Sequence, residues 1–394
     1  MTIVFVAPFM TTMLRGIERC VYELGSRLSD RGHHVHLLYW PGPHPWLYGQ
    51  RGPRLFLHQL PLSRYYQHVT AGLLYPLYLR RLGPDVVNFF YSWQGEDLAH
   101  VFWADERAAS ILHLHYPAQQ VPARYAQLRA SRVLRRARAC VACSQYVADG
   151  VRRLLQREPC VIPNGVDVDA FRPPEATTKA GLRSRLGLAD DRPILCTVAA
   201  LEERKGVGRV LEALALLHRR RATFYYVVVG EGPFRSAIER FVASHHLAEH
   251  VLLVGAHRDP RPFYHVADVF VFLSRGEAAP LAPLEAMASA LPIVAARQPP
   301  LTEFLPKEGA MFVDETSPDT VCDTLIALIN DPEKVGAMGQ FNRAYAREHY
   351  SWDRVVGHYD ALFQHVMQQA GPGRAANGEL RMSMDRETTS WAAL

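Results

Sequence analysis

Short apolar runs alternate with helix-period segments along almost the whole chain, and this alternation constrains the fold more than any other feature. Parallel strands cannot be joined by tight turns, so a run–helix–run rhythm implies parallel sheets with helical crossovers. In the first half the rhythm predicts strands at 2–7, 34–39, 86–90, 110–114, 139–143 and 160–163, with helices near 16–31, 124–137 and 145–156. Residues 168–192 are polar and proline-bearing and read as a boundary. A second set follows: strands at 193–199, 223–230, 251–255, 268–273 and 292–296, and helices near 206–220, 232–245, 282–289, 317–329, 332–347 and 353–369. The 394 residues exceed what one core holds. The expectation is therefore α/β: a first domain over 1–172, a second over 190–350, a helix at 351–370 crossing back to the first, and a disordered tail from 371 to 394. Ligands of doubly wound sheets bind beyond the carboxyl ends of the strands, which directs attention to a cleft between two such domains.

Composition narrows the class. No apolar run approaches the ~18 residues a bilayer span needs. The start, MTIVFVAPF, has no basic region and no small-residue cleavage site, and reads as a buried strand. Cys140 and Cys143 form a C-x2-C without a second pair, so core thiols in a reduced, cytoplasmic protein are expected. Residues 1–178 carry 20 arginines, no lysine and 13 acids. This basic half suggests a polyanionic or membrane-surface partner. The stretch 124–138 concentrates six arginines among Tyr125, Leu128, Val133 and Leu134, as a helix resting on anionic lipid would. The aromatic, leucine-rich and arginine-bearing stretch at 60–84 points the same way. A solvated basic helix also fits, and no nucleic-acid motif accompanies the patch.

Two acids frame the most informative segment, RGEAAPLAPLEAMASALPIVAA at 275–296. Glu277 lies in the loop after a strand. A helix begins near Leu281 or Ala282, where Pro280 and Pro283 are tolerated because first-turn N–H groups lack intrahelical partners. The amides of Leu281 and Ala282 suit a phosphate. Glu285, one turn inside, suits the vicinal hydroxyls of a ribose, and Glu277 a second polyol. Polyol, diphosphate and ribose in line describe a nucleotide sugar. On spacing alone, a loop acid and a half-exposed helical acid is the favoured reading.

The run resembles the E-x7-E signature of the family 4 glycosyltransferases, retaining enzymes of GT-B fold with two Rossmann-like domains facing a central cleft. Leu284-Glu285-Ala286-Met287-Ala288 and Leu291-Pro292-Ile293-Val294-Ala295 are similar to that family's L-E-A-M-A-x-G-L-P-V-V-A. So are Arg15-Gly16-Ile17-Glu18-Arg19 to G-G-x-E-R, Ile162-Pro163-Asn164-Gly165-Val166-Asp167 to I-P-N-G-V-D, Lys205-Gly206 to K-G, Val229-Gly230-Glu231-Gly232-Pro233 to V-G-D-G-P, and Ser351-Trp352 to the start of the final helix. The resemblance spans roughly residues 2 to 366. It implies a nucleotide diphosphate sugar as substrate, a glycan or lipid-linked acceptor, no cofactor and no metal, and a place at the cytoplasmic leaflet. It implies donor binding by Gly16, Arg204, Lys205, Leu281, Ala282 and Glu285, with Glu277 orienting the sugar and His115 near the anomeric carbon.

Several positions depart from the family. Ala199-Ala200 stands where G-R is common, with Arg204 a substitute for the missing arginine. Ala278-Ala279-Pro280 replaces G-F-G, and Ala290 replaces the glycine ending the helix. His113 shares a strand face with His115 and fits a satisfied core histidine. Asp167-Val168-Asp169 is a D-x-D in a linker, where a metal site is not expected, and His257 ends a strand. Two other readings stay open: a nucleotide-sugar epimerase of the same architecture, which needs no acceptor, and a non-catalytic sugar-nucleotide-binding protein.

Overall fold

The computed structural model describes residues 1–7, 16–39, 52–59, 77–91, 108–188 and 191–369. The sequence expectations for Arg15, residues 8–15 of the loop after the first strand, residues 60–76 of the 60–84 stretch and the 371–394 tail fall outside these. The chain divides into two compact units, residues 1–164 with 352–394, and residues 165–351.

The first unit holds a seven-stranded parallel sheet ordered β3-β2-β1-β4-β5-β6-β7. Its strands are β1 (Thr2–Val6), β2 (His34–Tyr39), β3 (Leu55–Gln59), β4 (Val86–Tyr91), β5 (Ala109–Leu114), β6 (Ala139–Ala142) and β7 (Cys160–Val161). Ile3, Val4, Val6, Ile111, Leu112 and Val141 are fully buried. The strands read as apolar runs because helices cover both faces of such a sheet. The last helix, Trp352–Gln368, belongs to this unit. Arg31 and His33 hold its Asp360 at 2.7 and 2.9 Å, and the Arg27 guanidinium lies 5.9 Å from the Trp352 ring centre.

The second unit holds a six-stranded parallel sheet ordered β10-β9-β8-β11-β12-β13. The strands are β8 (Ile194–Val198), β9 (Tyr225–Val229), β10 (Val251–Gly255), β11 (Val269–Phe272), β12 (Ile293–Ala296) and β13 (Ala310–Val313). In both sheets the strand order reverses beside the first strand, between β1 and β4 and between β8 and β11. A ligand crevice of a doubly wound sheet opens at that switch point.

Three readings change. β3 and β13 were not expected; both are edge strands of five and four residues, too short for a pattern to stand out. The polar boundary at 168–192 contains a helix, Ala176–Arg185, which Lys179 ties to Asp268 at 2.7 Å. That helix is part of the second unit, whose first residue is Gly165. The expected basic helix at 124–137 is broken at Ser131 into Pro122–Ala130 and Arg132–Arg136. Ser131 takes extended geometry, and its hydroxyl accepts from the Leu134 amide, capping the second piece. Tyr125, Leu128 and Leu134 are buried in their own unit, so these three side chains are not presented to a lipid.

Ala290 ends the helix Leu281–Ala288 with φ of 59°, a conformation that favours glycine. Gly339 packs directly beneath it, since a Cβ there would lie 2.1 Å from the Ala290 carbonyl oxygen. Ala290→Gly should raise stability by about 0.5–1 kcal/mol, the left-handed penalty less glycine's extra unfolded-state entropy. A urea melt checks this; an unchanged or lower midpoint with unchanged slope would refute it.

Candidate functional site

The switch point of the second sheet is closed by one tight contact. Gly206 has φ of 79°, and a Cβ on it would sit 2.1 Å from the Leu273 carbonyl oxygen. Only glycine lets the segment after β8 come this close to the end of β11. The Arg275 amide donates to the Arg204 carbonyl at 2.8 Å, and the Arg209 guanidinium bridges the carbonyls of Arg204 and Leu273 at 3.1 and 2.9 Å. The two loops thus form one block. The glycines of the 230–232 motif act likewise: Cβ atoms on Gly230 and Gly232 would meet the carbonyl oxygens of Ala199 and Leu201 at 1.8 and 2.4 Å. This G-x-G packs one loop under another.

On that block Lys205 and Glu277 meet. The Lys205 ammonium donates to Glu277 Oε1 at 2.6 Å, the Ser274 hydroxyl donates to the same oxygen, and the Arg204 guanidinium lies 3.6 Å from it. The side chains of Lys205 and Glu277 are only 15% and 10% exposed. Arg204 is largely exposed and also pairs with Glu202 at 2.8 Å. Ala200, where the family's arginine is missing, is exposed.

The helix Leu281–Ala288 begins four residues after Glu277. Pro280 is its N-cap and offers no side-chain bond to the first-turn amides, which include Leu281 and Ala282. Glu285 is buried, and the Tyr264 hydroxyl donates to its Oε2 at 2.8 Å. Tyr264 comes from the short helix Arg261–Val266, and its ring packs against Phe171 and Phe270. At the far end of the Glu285 helix Arg343 donates to the Ala288 carbonyl at 2.7 Å, satisfying an end group that has no partner inside the helix. Lys205, Glu277 and Glu285, with Leu281 and Ala282, therefore gather at the carboxyl end of the second sheet.

The remaining sites lie elsewhere. Gly16 opens the helix Gly16–Asp30 after β1. His115 follows the last residue of β5 in the first unit and is buried. His113 Nδ1 lies 2.5 Å from His115 Nε2, and its Nε2 bonds to the Tyr359 hydroxyl. Burial pushes the His115 imidazole down to about 3 and holds His113 well below its ordinary value, with His115 adding to the latter; the Tyr359 phenol is raised well above its usual range. All three are neutral near pH 7. His257 is exposed and bonds the Val254 carbonyl. Asp167 accepts from the amides of Asp169 and Ala170. Cys140 and Cys143 are buried thiols.

Sequence reasoning missed Ser274, Tyr264 and Tyr359. Ser274 was readable as a polar residue ending an apolar strand. Tyr264 and Tyr359 reach Glu285 and His113 across 21 and 246 residues, where no local pattern signals them.

Lys205→Met should lower stability by about 3 kcal/mol, because it leaves the Glu277 carboxylate buried beside one distant cation. Lys205→Met with Glu277→Gln should cost much less than the sum of the singles. Denaturant melts of the four proteins give the coupling; additive losses would remove the ion pair's role.

Two family descriptions match successive parts of the chain: Glycosyltransferase Family 4 over residues 14–170 and Glycosyl transferases group 1 over 179–345. A GDP-mannose-dependent phosphatidylinositol monomannoside mannosyltransferase of Mycolicibacterium smegmatis is 34% identical over 202 residues, which is 48% of this chain. The chain spans about half that relative's length, 52%. The N-acetyl-alpha-D-glucosaminyl L-malate synthase of Bacillus anthracis is 22% identical over 89% of this chain and 94% of its own. Among solved structures, a glycosyltransferase of Rickettsia africae has a TM-score of 0.81 at 15% identity, covering 93% of this chain and 98% of its own. Anabaena HepE in complex with UDP and glucose has a TM-score of 0.77 at 17% identity, covering 92% and 99%. With two parallel-sheet α/β units and a family description matched by each, the chain belongs to the family 4 glycosyltransferases of GT-B fold.

Proposed function

We propose that the chain transfers a sugar from a nucleotide diphosphate sugar to a hydroxyl acceptor, with retention of anomeric configuration and without a metal ion. One observation carries this reading: a part-buried Lys205–Glu277 pair at the switch point of the second sheet, one loop before a helix whose first-turn amides receive no side-chain cap and whose second turn carries buried Glu285. Glu285 accepts from the ribose hydroxyls. The amides of Leu281 and Ala282, with the helix dipole, meet the diphosphate. Lys205 and Arg204 stabilise the charge that grows on the leaving diphosphate, a task these cations can perform without a divalent ion. A donor draws Lys205 toward phosphate and leaves Glu277 to accept from the sugar. Gly16 serves the diphosphate from the first unit, and His115 stands near the anomeric carbon. No side chain is assigned as a nucleophile.

The mannosyltransferase relatives are GDP-mannose-dependent and HepE was crystallised with UDP, so GDP is the first titrant and UDP the second. Calorimetry should find one nucleotide that binds, and Glu285→Ala should weaken it by at least about 1.5 kcal/mol, the loss of bonds to a charged group. Equal affinity in the variant removes the ribose role. If no nucleotide binds, the departures at Ala200 and Pro280 have emptied the pocket and the non-catalytic reading stands. Free sugar released without an acceptor would select the epimerase.

The acceptor side is proposed to work at an anionic membrane surface. The support is electrostatic: Arg129, Arg135 and Arg136 are exposed while their apolar neighbours are buried. No helix among the described residues is long and apolar enough to cross a membrane. Reversing these three arginines to glutamate should reduce binding to vesicles with anionic lipid by at least about tenfold in low salt. Indifference would indicate an acceptor taken from solution.

A further inference from the structure

The geometry points to His113 and Tyr359 as positioning residues that fix His115 in one tautomer, with its proton on Nδ1. This deepens the proposed role of His115 and rests on it. The three groups form a chain wholly inside the first unit: Tyr359 hydroxyl, His113 Nε2, His113 Nδ1, His115 Nε2. His113 and Tyr359 are 1% and 3% exposed, so neither has ready access to water. Phe90 packs on both imidazoles, with ring centres 4.8 and 5.9 Å away, and the Tyr359 ring lies 5.7 Å from that of His113.

The direction of the chain follows from proton accounting. Among the described residues the Tyr359 hydroxyl has one partner, His113 Nε2. Were that nitrogen to carry the hydrogen, the hydroxyl would accept, and its own proton would find no hydrogen-bond acceptor among the described residues. A buried donor left without a partner is costly. The hydroxyl therefore donates to His113 Nε2. A neutral imidazole carries one N–H, so His113 donates from Nδ1 to His115 Nε2. His115, neutral as well, must then hold its hydrogen on Nδ1. Burial supports this by keeping both rings uncharged near neutral pH. The consequence is chemical: His115 offers a ligand an N–H donor and no free basic nitrogen. It can donate to a sugar oxygen, and it does not remove a proton from an acceptor. Tyr359 is recruited from the last helix, Trp352–Gln368, which Asp360 anchors to Arg31 and His33.

The test uses the full chain with 15N-labelled histidine. Long-range proton–nitrogen correlation spectra should show His115, assigned by its loss in His115→Gln, as the Nδ1–H tautomer. Tyr359→Phe removes only the hydroxyl. It should convert His115 to a mixture of tautomers and lower kcat by about tenfold, with the donor KM and the calorimetric nucleotide affinity within twofold of wild type. Observation of the Nε2–H tautomer in the wild type overturns the inference. So does a Tyr359→Phe protein with an unchanged His115 spectrum or unchanged kcat. His113→Phe, which also breaks the chain, should repeat the Tyr359→Phe result if it folds, and wild-type kcat in a folded His113→Phe protein counts against the inference. Failure of the underlying reading looks different: His115→Gln would then turn over normally whatever the tautomer.

Discussion

One close approach governs the second unit: Gly206 against the carbonyl of Leu273. A parallel sheet whose strand order reverses leaves a gap at the reversal, and the loops on either side normally diverge there. Here the loop after β8 turns back onto the end of β11 because position 206 has no side chain to prevent it. Everything charged in the site inherits its place from that contact. Lys205 precedes the glycine, Glu277 follows Leu273 by four residues, and the two meet at 2.6 Å. Substituting any side chain at Gly206 would separate the loops before it affected any ligand. The lysine's position is thus a property of its neighbour, and the two belong together in the sequence for a steric reason.

The ion pair itself is poised. In a half-dry setting Lys205 and Glu277 must be paired, since removing either strands the other. A diphosphate brings more charge to the lysine than one carboxylate does, and a polyol brings hydroxyls that the carboxylate can accept. Exchange of partners leaves no buried charge alone at any stage. Arg204, more exposed and already shared between Glu202 and Glu277, is free to follow. Tyr264 plays a different part. Its hydroxyl fixes one oxygen of Glu285 while its ring is held by Phe171 and Phe270, so the carboxylate is held in one orientation.

The sequence made the sheets legible because buried parallel strands are continuous apolar runs, as at 225–229 and 269–272. It made Lys205, Glu277 and Glu285 legible because each stands beside a small residue or a strand end that leaves it conspicuous. It failed where the determining contact is distant or short. β3 and β13 are edge strands of a few residues. The helix Ala176–Arg185 has a mostly polar surface and only Leu182 buried, so it looked like a linker. The break at Ser131 depends on a hydroxyl capping a new turn, which a serine inside a helical period does not announce. Tyr359 lies 246 residues from its partner. Ala290 is the instructive intermediate: its departure from glycine was visible, and the structure adopts the left-handed geometry despite it, with Gly339 leaving room for the Ala290 carbonyl.

Each unit has its own electrostatic character. The second concentrates cations and amide dipoles, which suit a leaving group that gains negative charge. The first contributes a histidine held neutral by burial. For the role proposed for His115 that neutrality is chemically sensible, because the anomeric carbon gains positive charge as the diphosphate departs. An imidazolium there would oppose the step, by ~4 kcal/mol for unit charges 4 Å apart at an effective dielectric constant near 20. A neutral ring that presents an N–H can orient a sugar oxygen without that penalty. The buried chain through His113 to Tyr359 supplies such a ring.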